Sequence, residues 1–462
     1  TLPLRQMIFL LLQVTRCAAL LLLRQTLPLR QMMFLLLVLF FHLLPTSGSL
    51  WSDCESPVPG IAFDIDGVIR QGNRPCLEGL EAIVQAQQHQ WPFVFLTNGG
   101  AGRTEEQYAI KLEKMLRSRS VRRCTGTFDA SPEAALADAT VAKQFQQQLQ
   151  PLRGDQFVLS YSPLVELDSM KDKSILIVGA TGVERVAQQY GFKHVIHANE
   201  YARRHPDQSP WYTNWVGETE PGCPGLRGDE SELHGPGPFD TYESIDAIFV
   251  MSEPNYFGQA LEFCVDFLLS TNPFNIELED QQPYIIFANP DLLWRAEFPR
   301  SRLGLGAFKT ALRAVYHERL QALGLSGSEI SHREENRWIQ LGKPMPNQYH
   351  FAERKMDQVL QSQSPRGAGK TCIDHFYMIG DNHATDIAGS TACNKIAMSD
   401  PTKRNWQSVL VRTGVWKNGL PTHGATIIKD NAKLAMEWII SSNKHKSKSK
   451  RKDQQQRTSD DL

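Results

Sequence analysis

Two aspartates, Asp64 and Asp66, stand one residue apart, directly after the apolar run 60–63 and directly before Gly67. Alternate side chains of an extended strand point to the same side, so the two carboxylates would lie close together and repel one another. A divalent cation that prefers oxygen ligands relieves such repulsion, and one aspartate could then act as a nucleophile while the other acts as an acid or base. An ordinary turn after a strand end is the simpler alternative.

A second apolar strand pattern, 93–96, ends in Thr97-Asn98-Gly99. The hydroxyl of Thr97 and the amide of Asn98 can donate hydrogen bonds to an anionic oxygen. Glycine at position 99 lets backbone N–H groups come close to the same oxygen. This stretch therefore favours an anion-binding site at a strand end.

Two further stretches complete the set of candidate site residues. Lys343 stands between Gly342 and Pro344, and the apolar run 377–379 leads to Gly380-Asp381, with Asp386 five residues later. Each stretch alone is a weak signal, because short Gly-Lys-Pro and Gly-Asp sequences are common. The four stretches occur in this order, and three of them follow apolar strands. Together they indicate one site in which carboxylates, a lysine and a cation bind an anion.

The elements that must position these groups are predicted by periodicity. Apolar residues at helical spacing over 76–90 lie between the strand patterns 60–63 and 91–96, and 104–116 is a helix candidate with Thr104 as N-cap. A strand, a helix and a strand in this short compass imply a parallel pair with a right-handed crossover. Ligands bind at the carboxyl ends of such strands, which is where the candidate residues stand.

The motif set resembles the haloacid dehalogenase superfamily of phosphotransferases, through residues 64–68, 96–100, 342–344 and 380–386. The second and third motifs are similar to those of its class IIA branch, in which an α/β cap is inserted between them. The resemblance covers about residues 57–420. It implies an α/β fold, with a doubly wound, Rossmann-like parallel-sheet core and an inserted α/β cap domain.

On this basis the sequence divides into five parts, which are a targeting segment 1–50, a first core half 57–119, a cap 120–327, a second core half 328–440 and a basic tail 441–462. The glutamine- and alanine-rich stretch 117–153 is expected to be an insertion or a loosely packed helix. A long surface loop is expected over 203–239.

The resemblance also implies roles for the site residues. Asp64 would attack a phosphoryl group to form an aspartyl-phosphate, and Asp66 would protonate the leaving alcohol and then deprotonate water. Lys343 would neutralise phosphate oxygens and offset the neighbouring carboxylates. Thr97, Asn98 and Gly99 would bind the same phosphate.

Mg2+ is the implied cofactor. Its ligands would be the carboxylates of Asp64 and Asp381 and the backbone carbonyl of Asp66, while Asp386 would act from the second shell or through water. The carboxylate at Asn289-Pro-Asp291 could be one more site group, although a turn with a capping aspartate is the preferred interpretation.

The predicted function is hydrolysis of a small phosphorylated metabolite by a Mg2+-dependent phosphatase, with a link to mitochondrial glycerophospholipid metabolism as a further option. The alternative is a non-catalytic scaffold or binding protein that keeps the fold. A formal net charge of −1 over 462 residues gives no argument for nucleic acid as a partner. A second copy of this chain, bound through the cap in a homodimer, is a further possible partner.

Residues 1–50 are leucine-rich, contain four arginines and have no acidic residue, which is typical of a targeting segment. The longest apolar run, 32–44, is shorter than the ~20 residues of a spanning helix, so no stable membrane span is expected. Small residues at 47–49 suit a secretory cleavage site, and arginines without acids suit a mitochondrial presequence. Resemblance to one class IIA group, whose members resemble mitochondrial proteins, favours the mitochondrion.

The eight cysteines contain no Cys-x-x-Cys pair, and their spacing is typical neither of a zinc site nor of a compact disulfide framework. Reduced thiols are therefore expected. A bond between Cys54 and Cys76 is the alternative for a secreted chain.

Overall fold

The structure is a computed structural model that describes Cys54 and residues 56–100, 102–118, 121–124, 132–205, 208, 244–272, 277–280, 282–294, 298, 300–335, 337–363, 371–400 and 403–444. The predicted targeting segment 1–50, most of the predicted loop 203–239 and most of the predicted tail 441–462 lie outside these residues. The described residues belong to one unit, Cys54–Leu462.

The strands, in chain order, are β1 (Ser56–Phe63), β2 (Arg70–Gln71), β3 (Arg74–Pro75), β4 (Phe93–Leu96), β5 (Phe157–Val158), β6 (Ser174–Val178), β7 (His194–His197), β8 (Ala247–Val250), β9 (Tyr284–Phe287), β10 (Leu293–Trp294), β11 (Arg302–Leu303), β12 (Trp338–Gln340), β13 (Thr371–Gly380), β14 (Asn405–Val411) and β15 (Ile427–Lys429). The α-helices are α1 (Leu77–Gln88), α2 (Glu105–Leu116), α3 (Pro132–Gln148), α4 (Val183–Gln189), α5 (Ala198–Arg204), α6 (Phe257–Leu269), α7 (Leu305–Ala322), α8 (Gly327–Glu335), α9 (Pro346–Gln363), α10 (Ala388–Ser399) and α11 (432–444).

The first sheet has six strands in the order β15-β14-β13-β1-β4-β5, and all of its pairings are parallel. Alternate residues of β1 belong to different apolar clusters. Ile61 and Phe63 pack in the cluster that contains α1, whereas Ala62 packs in the cluster that contains α9. Both faces of the sheet are therefore covered by helices, which explains why its strands read as nearly continuous apolar runs.

Proline residues in β1 do not interrupt the sheet. Pro57 and Pro59 lack a backbone N–H, and β1 pairs there only with β13, with a shift of register between Val58 and Pro59. Pairing with β4 on the other side begins at Ile61. The prolines thus lie where one side of the strand needs no partner, and the segment that leads to Asp64 is paired on both sides.

The second sheet has five strands in the order β12-β9-β8-β6-β7, again all parallel. The chain enters it after leaving β5 and returns to the first sheet after β12, so this domain is inserted between the second and third motifs. The predicted α/β fold, with a parallel-sheet core and an inserted α/β domain, is confirmed.

The domain boundaries at 119 and 327 differ from the observed strand pairing. β5 pairs with β4, and α3 packs beside α1, where Gln88 donates to Gln148 at 2.8 Å. Residues up to 158 therefore lie with the first sheet, and the inserted domain continues through β12. A strand of two or three residues has too little periodicity to be assigned to a sheet from sequence.

Two disulfides correct the expectation of reduced thiols. Cys54 is bonded to Cys372, and Cys76 is bonded to Cys124. The first bond joins residues 318 positions apart, one just before β1 and the other near the start of β13, so sequence spacing gave no signal for it. Cys264 and Cys393 are buried free thiols.

Among the described residues, no helix is both long enough and apolar enough to cross a membrane.

Candidate active site

Three neighbouring strands of the first sheet deliver the candidate residues to one edge. β13, β1 and β4 are adjacent and parallel, and their carboxyl ends are followed by Asp381, Asp64 and Thr97. From β1 the chain adds β4 on one side of the sheet and later β13 on the other side. A crevice therefore opens at the carboxyl end of β1. All eight candidate residues line this one pocket, namely Asp64, Asp66, Thr97, Asn98, Gly99, Lys343, Asp381 and Asp386.

Lys343 lies where the chain returns from the second sheet to the first, just after β12 and before α9. Its ammonium nitrogen is 2.6 Å from Asp64 Oδ1 and 2.6 Å from Asp386 Oδ1. Gly342 has a φ of 81°, and a Cβ there would lie 2.6 Å from the Ala288 carbonyl oxygen. Glycine at this position therefore lets the lysine reach two carboxylates that come from different strands.

Asp386 is supplied by one π-helical turn, His383–Ile387, that follows β13. The backbone N–H of Asn382 donates to Asp386 Oδ2 at 3.0 Å, and the Tyr349 hydroxyl donates to the Asp386 carbonyl at 2.8 Å. A Cβ on Gly380 would lie 2.3 Å from the Asp386 side chain. These contacts fix the carboxylate beneath the lysine.

Asp381 is held from a different loop. The backbone N–H of Val415 donates to Asp381 Oδ2, and a Cβ on Gly414 would overlap the same carboxylate. The stretch 411–415, which follows β14, thus closes one side of the site. The sequence analysis did not identify this stretch as part of the site.

The carboxylates of Asp64, Asp381 and Asp386 are buried, and one ligand oxygen from each lies within 4.8 Å of the others. Burial raises the pKa of Asp64 far above its usual value, despite the neighbouring lysine. Burial, with the charge of Asp386, raises the pKa of Asp381 to about 7. For Lys343 burial acts to lower the pKa, but Asp386 and Asp64 outweigh it, so its pKa is raised.

The chemistry of these donors fits a hard divalent cation. Three carboxylates face a single ammonium group, so two negative charges are left uncompensated when all groups are ionised. Carboxylate oxygens are the ligands that Mg2+ prefers. Asp386 has an oxygen bound to Lys343 and an oxygen bound to a backbone N–H, which leaves Asp64 and Asp381 as the freer direct ligands.

Asp66 has a partner that sequence reasoning missed. The guanidinium of Arg70 contacts both of its oxygens, at 2.9 Å from Nε and 3.2 Å from Nη2, and also donates to the Tyr108 hydroxyl at 3.0 Å. Burial acts to lower the pKa of Arg70, but the charge and hydrogen bond of Asp66, together with Tyr108 and Asp64, outweigh it and raise that pKa. The sequence analysis did not predict this pair, because a turn between Asp66 and Arg70 reverses the direction of the chain and brings the two side chains together.

Asn98 was predicted to bind an anionic oxygen, whereas in the structure its side chain contacts the backbone of Lys343. Its side-chain oxygen accepts from the Lys343 N–H at 2.7 Å, and its amide nitrogen donates to the Lys343 carbonyl at 2.9 Å. The amide therefore orients the lysine backbone. Thr97 Oγ1 accepts from the Gly99 N–H at 3.0 Å, which leaves the hydroxyl proton able to donate. Contact of these residues with a phosphate stays a prediction.

The inserted domain contributes Asn289 and Asp291 to the pocket. Asn289 donates from Nδ2 to the Asn98 carbonyl at 3.0 Å and accepts from the Asp291 N–H at 3.0 Å. The expected turn forms, but the side chain that caps it is Asn289 rather than the aspartate. Asp291 also lines the pocket, with one buried oxygen that has no hydrogen-bond donor among the described residues. Burial raises the pKa of Asp291 to about 7.

One wall of the pocket is cationic. Arg70 of β2, Arg103 of the loop before α2 and Lys111 of α2 line it, beside Asp66. Lys111 has no carboxylate within ion-pair distance in the described part of the chain, and burial and the charges of Arg103 and Arg70 lower its pKa. Helical spacing predicted α2 but not which of its residues face the site.

The sequence of this chain is similar to those of known hydrolases. Residues 61–121 match the sequence family of haloacid dehalogenase-like hydrolases. The chain is similar to the cardiolipin synthase (CMP-forming)/mitochondrial hydrolase fusion protein of Schizosaccharomyces pombe, with 27% identity over 402 residues, 84% of this chain and 55% of that protein. It is 26% identical to a mitochondrial hydrolase of Saccharomyces cerevisiae over 78% of this chain and 88% of that protein. This chain thus spans little more than half of the fusion protein.

Among solved structures, a p-nitrophenyl phosphatase from Archaeoglobus fulgidus aligns with a TM-score of 0.45 and 14% identity, over 82% of this chain and 99% of its own. The resemblance to the haloacid dehalogenase superfamily that the motifs predicted is confirmed by the family match, and so is the prediction of a hydrolase of this type.

Proposed function

Since residues 61–121 match the haloacid dehalogenase-like hydrolases, we propose that this chain is a Mg2+-dependent phosphatase that hydrolyses phosphate monoesters through an aspartyl-phosphate. The observation that carries the proposal is the buried cluster in which Lys343 contacts Asp64 and Asp386 beside Asp381. Buried charges are costly unless they are compensated or used, and this cluster has more carboxylates than ammonium groups.

Asp64 and Asp381 would hold the cation, with the backbone carbonyl of Asp66. When bound, Mg2+ supplies positive charge to the phosphoryl oxygens and offsets the carboxylate charge. Asp386 would support the site through its contact with Lys343.

Asp64 is suited to nucleophilic attack. Lys343 binds its Oδ1, so Oδ2 is the oxygen that would form a bond to phosphorus while the bond from phosphorus to the alcohol oxygen breaks. Water would then attack the same phosphorus, and the carboxylate of Asp64 would leave as inorganic phosphate forms. Lys343 and the Thr97 hydroxyl would stabilise the charge on the other phosphoryl oxygens.

Asp66 would move the protons in both steps. It would donate a proton to the leaving alcohol and then accept one from the attacking water. The Arg70 pair stabilises the charged carboxylate, which is the form that accepts the proton in the second step. For the first step the protonated carboxyl would turn from Arg70 toward the leaving oxygen.

The test is hydrolysis of p-nitrophenyl phosphate by the full chain with Mg2+ and with EDTA, beside Asp64→Asn. We expect turnover that requires the metal and disappears in the variant. Full activity in Asp64→Asn would remove this residue as the nucleophile. A folded chain that binds Mg2+ but hydrolyses no phosphate monoester would favour the scaffold alternative.

The cationic wall indicates which phosphate monoesters would bind best. Lys111 lines the same wall as the Asp66–Arg70 pair and has no carboxylate within ion-pair distance in the described part of the chain, so a phosphate monoester with a second negative group would meet uncompensated positive charge there. We expect Lys111→Ala to raise KM for such a substrate about tenfold and to change that for p-nitrophenyl phosphate little. Lys114→Ala, on the exposed side of the same helix, is the matched control.

The relatives suggest a pathway and a compartment. One relative joins a mitochondrial hydrolase to a cardiolipin synthase, and the other is a mitochondrial hydrolase. We propose a mitochondrial role in glycerophospholipid metabolism for this chain, with the secretory pathway as the alternative. The two disulfides favour an oxidising compartment, which supports the secretory alternative. Imaging of the tagged chain, with mitochondrial and secretory markers, separates the two locations.

A further inference from the structure

A short antiparallel hairpin projects from the inserted domain at the mouth of the pocket. Its strands β10 and β11 pair Leu293 with Leu303 and Trp294 with Arg302. Leu293 and Trp294 also line the pocket. We call the described residues of this segment, 292–294, 298 and 300–303, the apolar hairpin.

The apolar hairpin exposes an unusual amount of hydrophobic surface. Its large apolar side chains are between 38% and 63% exposed, namely Leu292, Leu293, Trp294, Phe298 and Leu303. Exposed apolar residues on other described elements, such as Leu136 and Met398, stand apart from one another in the sequence. Single exposed apolar residues are ordinary, whereas a group of five beside a pocket marks a contact surface.

The charge of the hairpin indicates what it contacts. The sequence 292–303 contains three arginines and one glutamate. Arg300 and Arg302 are exposed, and neither has an ion pair with a carboxylate in the described part of the chain. The guanidinium of Arg302 lies 5.4 Å from the centre of the Phe298 ring. Leucines and aromatic rings beside arginines suit an interface between hydrocarbon and anionic headgroups.

We propose that the apolar hairpin docks the inserted domain onto the surface of an anionic phospholipid bilayer. The leucines, Trp294 and Phe298 enter the boundary between headgroups and acyl chains, while Arg300 and Arg302 bind lipid phosphates. Contact with a second copy of this chain fits less well. A twofold contact through this surface would bring the same arginines toward one another.

Docking would turn the mouth of the pocket toward the headgroups, because Leu293 and Trp294 belong to both surfaces. A phosphate monoester on a membrane lipid could then reach Asp64 without leaving the bilayer. This consequence rests on the proposed function, but the docking itself does not.

The test is co-sedimentation of the full chain with phosphatidylcholine vesicles and with vesicles that also contain phosphatidylglycerol. The variant is Leu292→Ser with Phe298→Ser and Leu303→Ser, whose side chains do not line the pocket. The control replaces three exposed apolar residues elsewhere by serine, namely Leu136, Leu323 and Met398.

We expect binding to the anionic vesicles that falls at least about tenfold in the hairpin variant and not in the control, since removal of apolar surface from water drives the docking. Binding to the anionic vesicles should also weaken with salt. No binding, equal binding to neutral and anionic vesicles, or undiminished binding by the hairpin variant would each overturn the proposal. A dimer in sedimentation that only the hairpin variant loses, without vesicle binding, would assign the surface to a second copy instead.

Hydrolysis of soluble p-nitrophenyl phosphate separates this proposal from the proposed function. The hairpin variant should hydrolyse it at the normal rate while its activity on a lipid phosphate monoester in vesicles falls. Asp64→Asn should still bind the anionic vesicles. Loss of vesicle binding in Asp64→Asn would count against an independent docking surface.

Discussion

The two sheets of this protein share one architecture and differ in what stands at their strand ends. Both are parallel and both are flanked by helices, but the carboxyl ends of β1 and β13 lead to buried charged groups. The corresponding ends of β6 and β8 lead to Gly179 and to Met251-Ser252. There the Ser252 hydroxyl oxygen accepts from the Ala180 N–H at 2.8 Å. At the ends of these two strands the polar groups are thus neutral and paired with one another.

This contrast shows that the fold supplies a position and the residue types supply the chemistry. The second sheet instead supports the first. Asn289, after β9, donates to Asn98, which orients Lys343. We therefore expect substitutions at the ends of the first sheet to change the rate strongly, and those at the ends of the second sheet to change stability more than rate.

The largest effect is expected for Asp64→Asn. Without the nucleophile, kcat should fall by about 10⁴-fold or more, while the fold persists because the amide keeps the shape of the carboxylate. Asp246→Asn is the matched control, since Asp246 accepts from the Ser174 N–H at 3.0 Å in the second sheet. Steady-state kinetics on both variants test the contrast, and comparable losses in the two would contradict it.

Lys343→Met comes next. Asp64 and Asp386 would lose the ammonium that lies 2.6 Å from each, so kcat should fall by about 10²–10³-fold. Lys309→Met is the control, because Lys309 is a half-buried lysine in the inserted domain that donates to Gln340 at 2.8 Å. Near-normal kcat in Lys343→Met at saturating Mg2+ would show that the ammonium does not act in the reaction.

Stability should depend on pH and metal through the same carboxylates. The folded pKa values of Asp381 and Asp291 are about 7, above the usual value of 3.8, so the folded state binds more protons between these limits. The free energy of unfolding of the metal-free protein should therefore fall as pH rises from about 4 to about 7, by on the order of 3–4 kcal/mol for each of the two carboxyls. Urea denaturation at several pH values measures the fall.

Mg2+ should reverse this loss, because it binds the ionised carboxylates of the folded chain. Asp381→Asn should show both a shallower pH dependence and a smaller gain from Mg2+. An unchanged pH dependence in that variant would mean that other groups cause the loss of stability.

Arg70→Met should lower kcat about tenfold with little change in KM, because Arg70 positions Asp66 through two contacts but lies one step from the reaction. Arg70→Lys should recover part of the loss, since an ammonium can keep one of the two contacts. Arg74→Met, at an exposed position on the same β2–β3 hairpin, serves as control. A rise in KM alone would instead assign Arg70 to substrate binding.

The smallest effect on rate is expected for Ser252→Ala. It removes the acceptor for the Ala180 N–H and should cost about 1 kcal/mol of unfolding free energy. The value of kcat should stay within about threefold of normal, because the hydroxyl pairs with its own domain. A loss as large as that in Arg70→Met would place the second sheet in the reaction and break the contrast between the sheets.

Several features of the fold could be read from local pattern. The helix 105–116 begins at Thr104, whose hydroxyl oxygen accepts from the Gln107 N–H, as its N-cap position predicted. The helix pattern predicted over 76–90 forms as α1, Leu77–Gln88. Helical and strand periodicity act over a few residues, so these elements do not depend on distant partners. The short strands β5 and β12 do depend on them, and their sheets could not be assigned.

The amino-acid sequence by itself determined the set of candidate site groups and their order, because three of the four motifs are short runs in which an apolar strand ends in a particular polar residue. Tertiary structure alone decided the partners, namely Arg70 for Asp66, Asn98 for the Lys343 backbone, and Cys372 for Cys54. The physical reason is the range of the interactions. Strand ends are set by local periodicity, whereas ion pairs, disulfides and exposed apolar groups depend on residues that only the folded chain brings together.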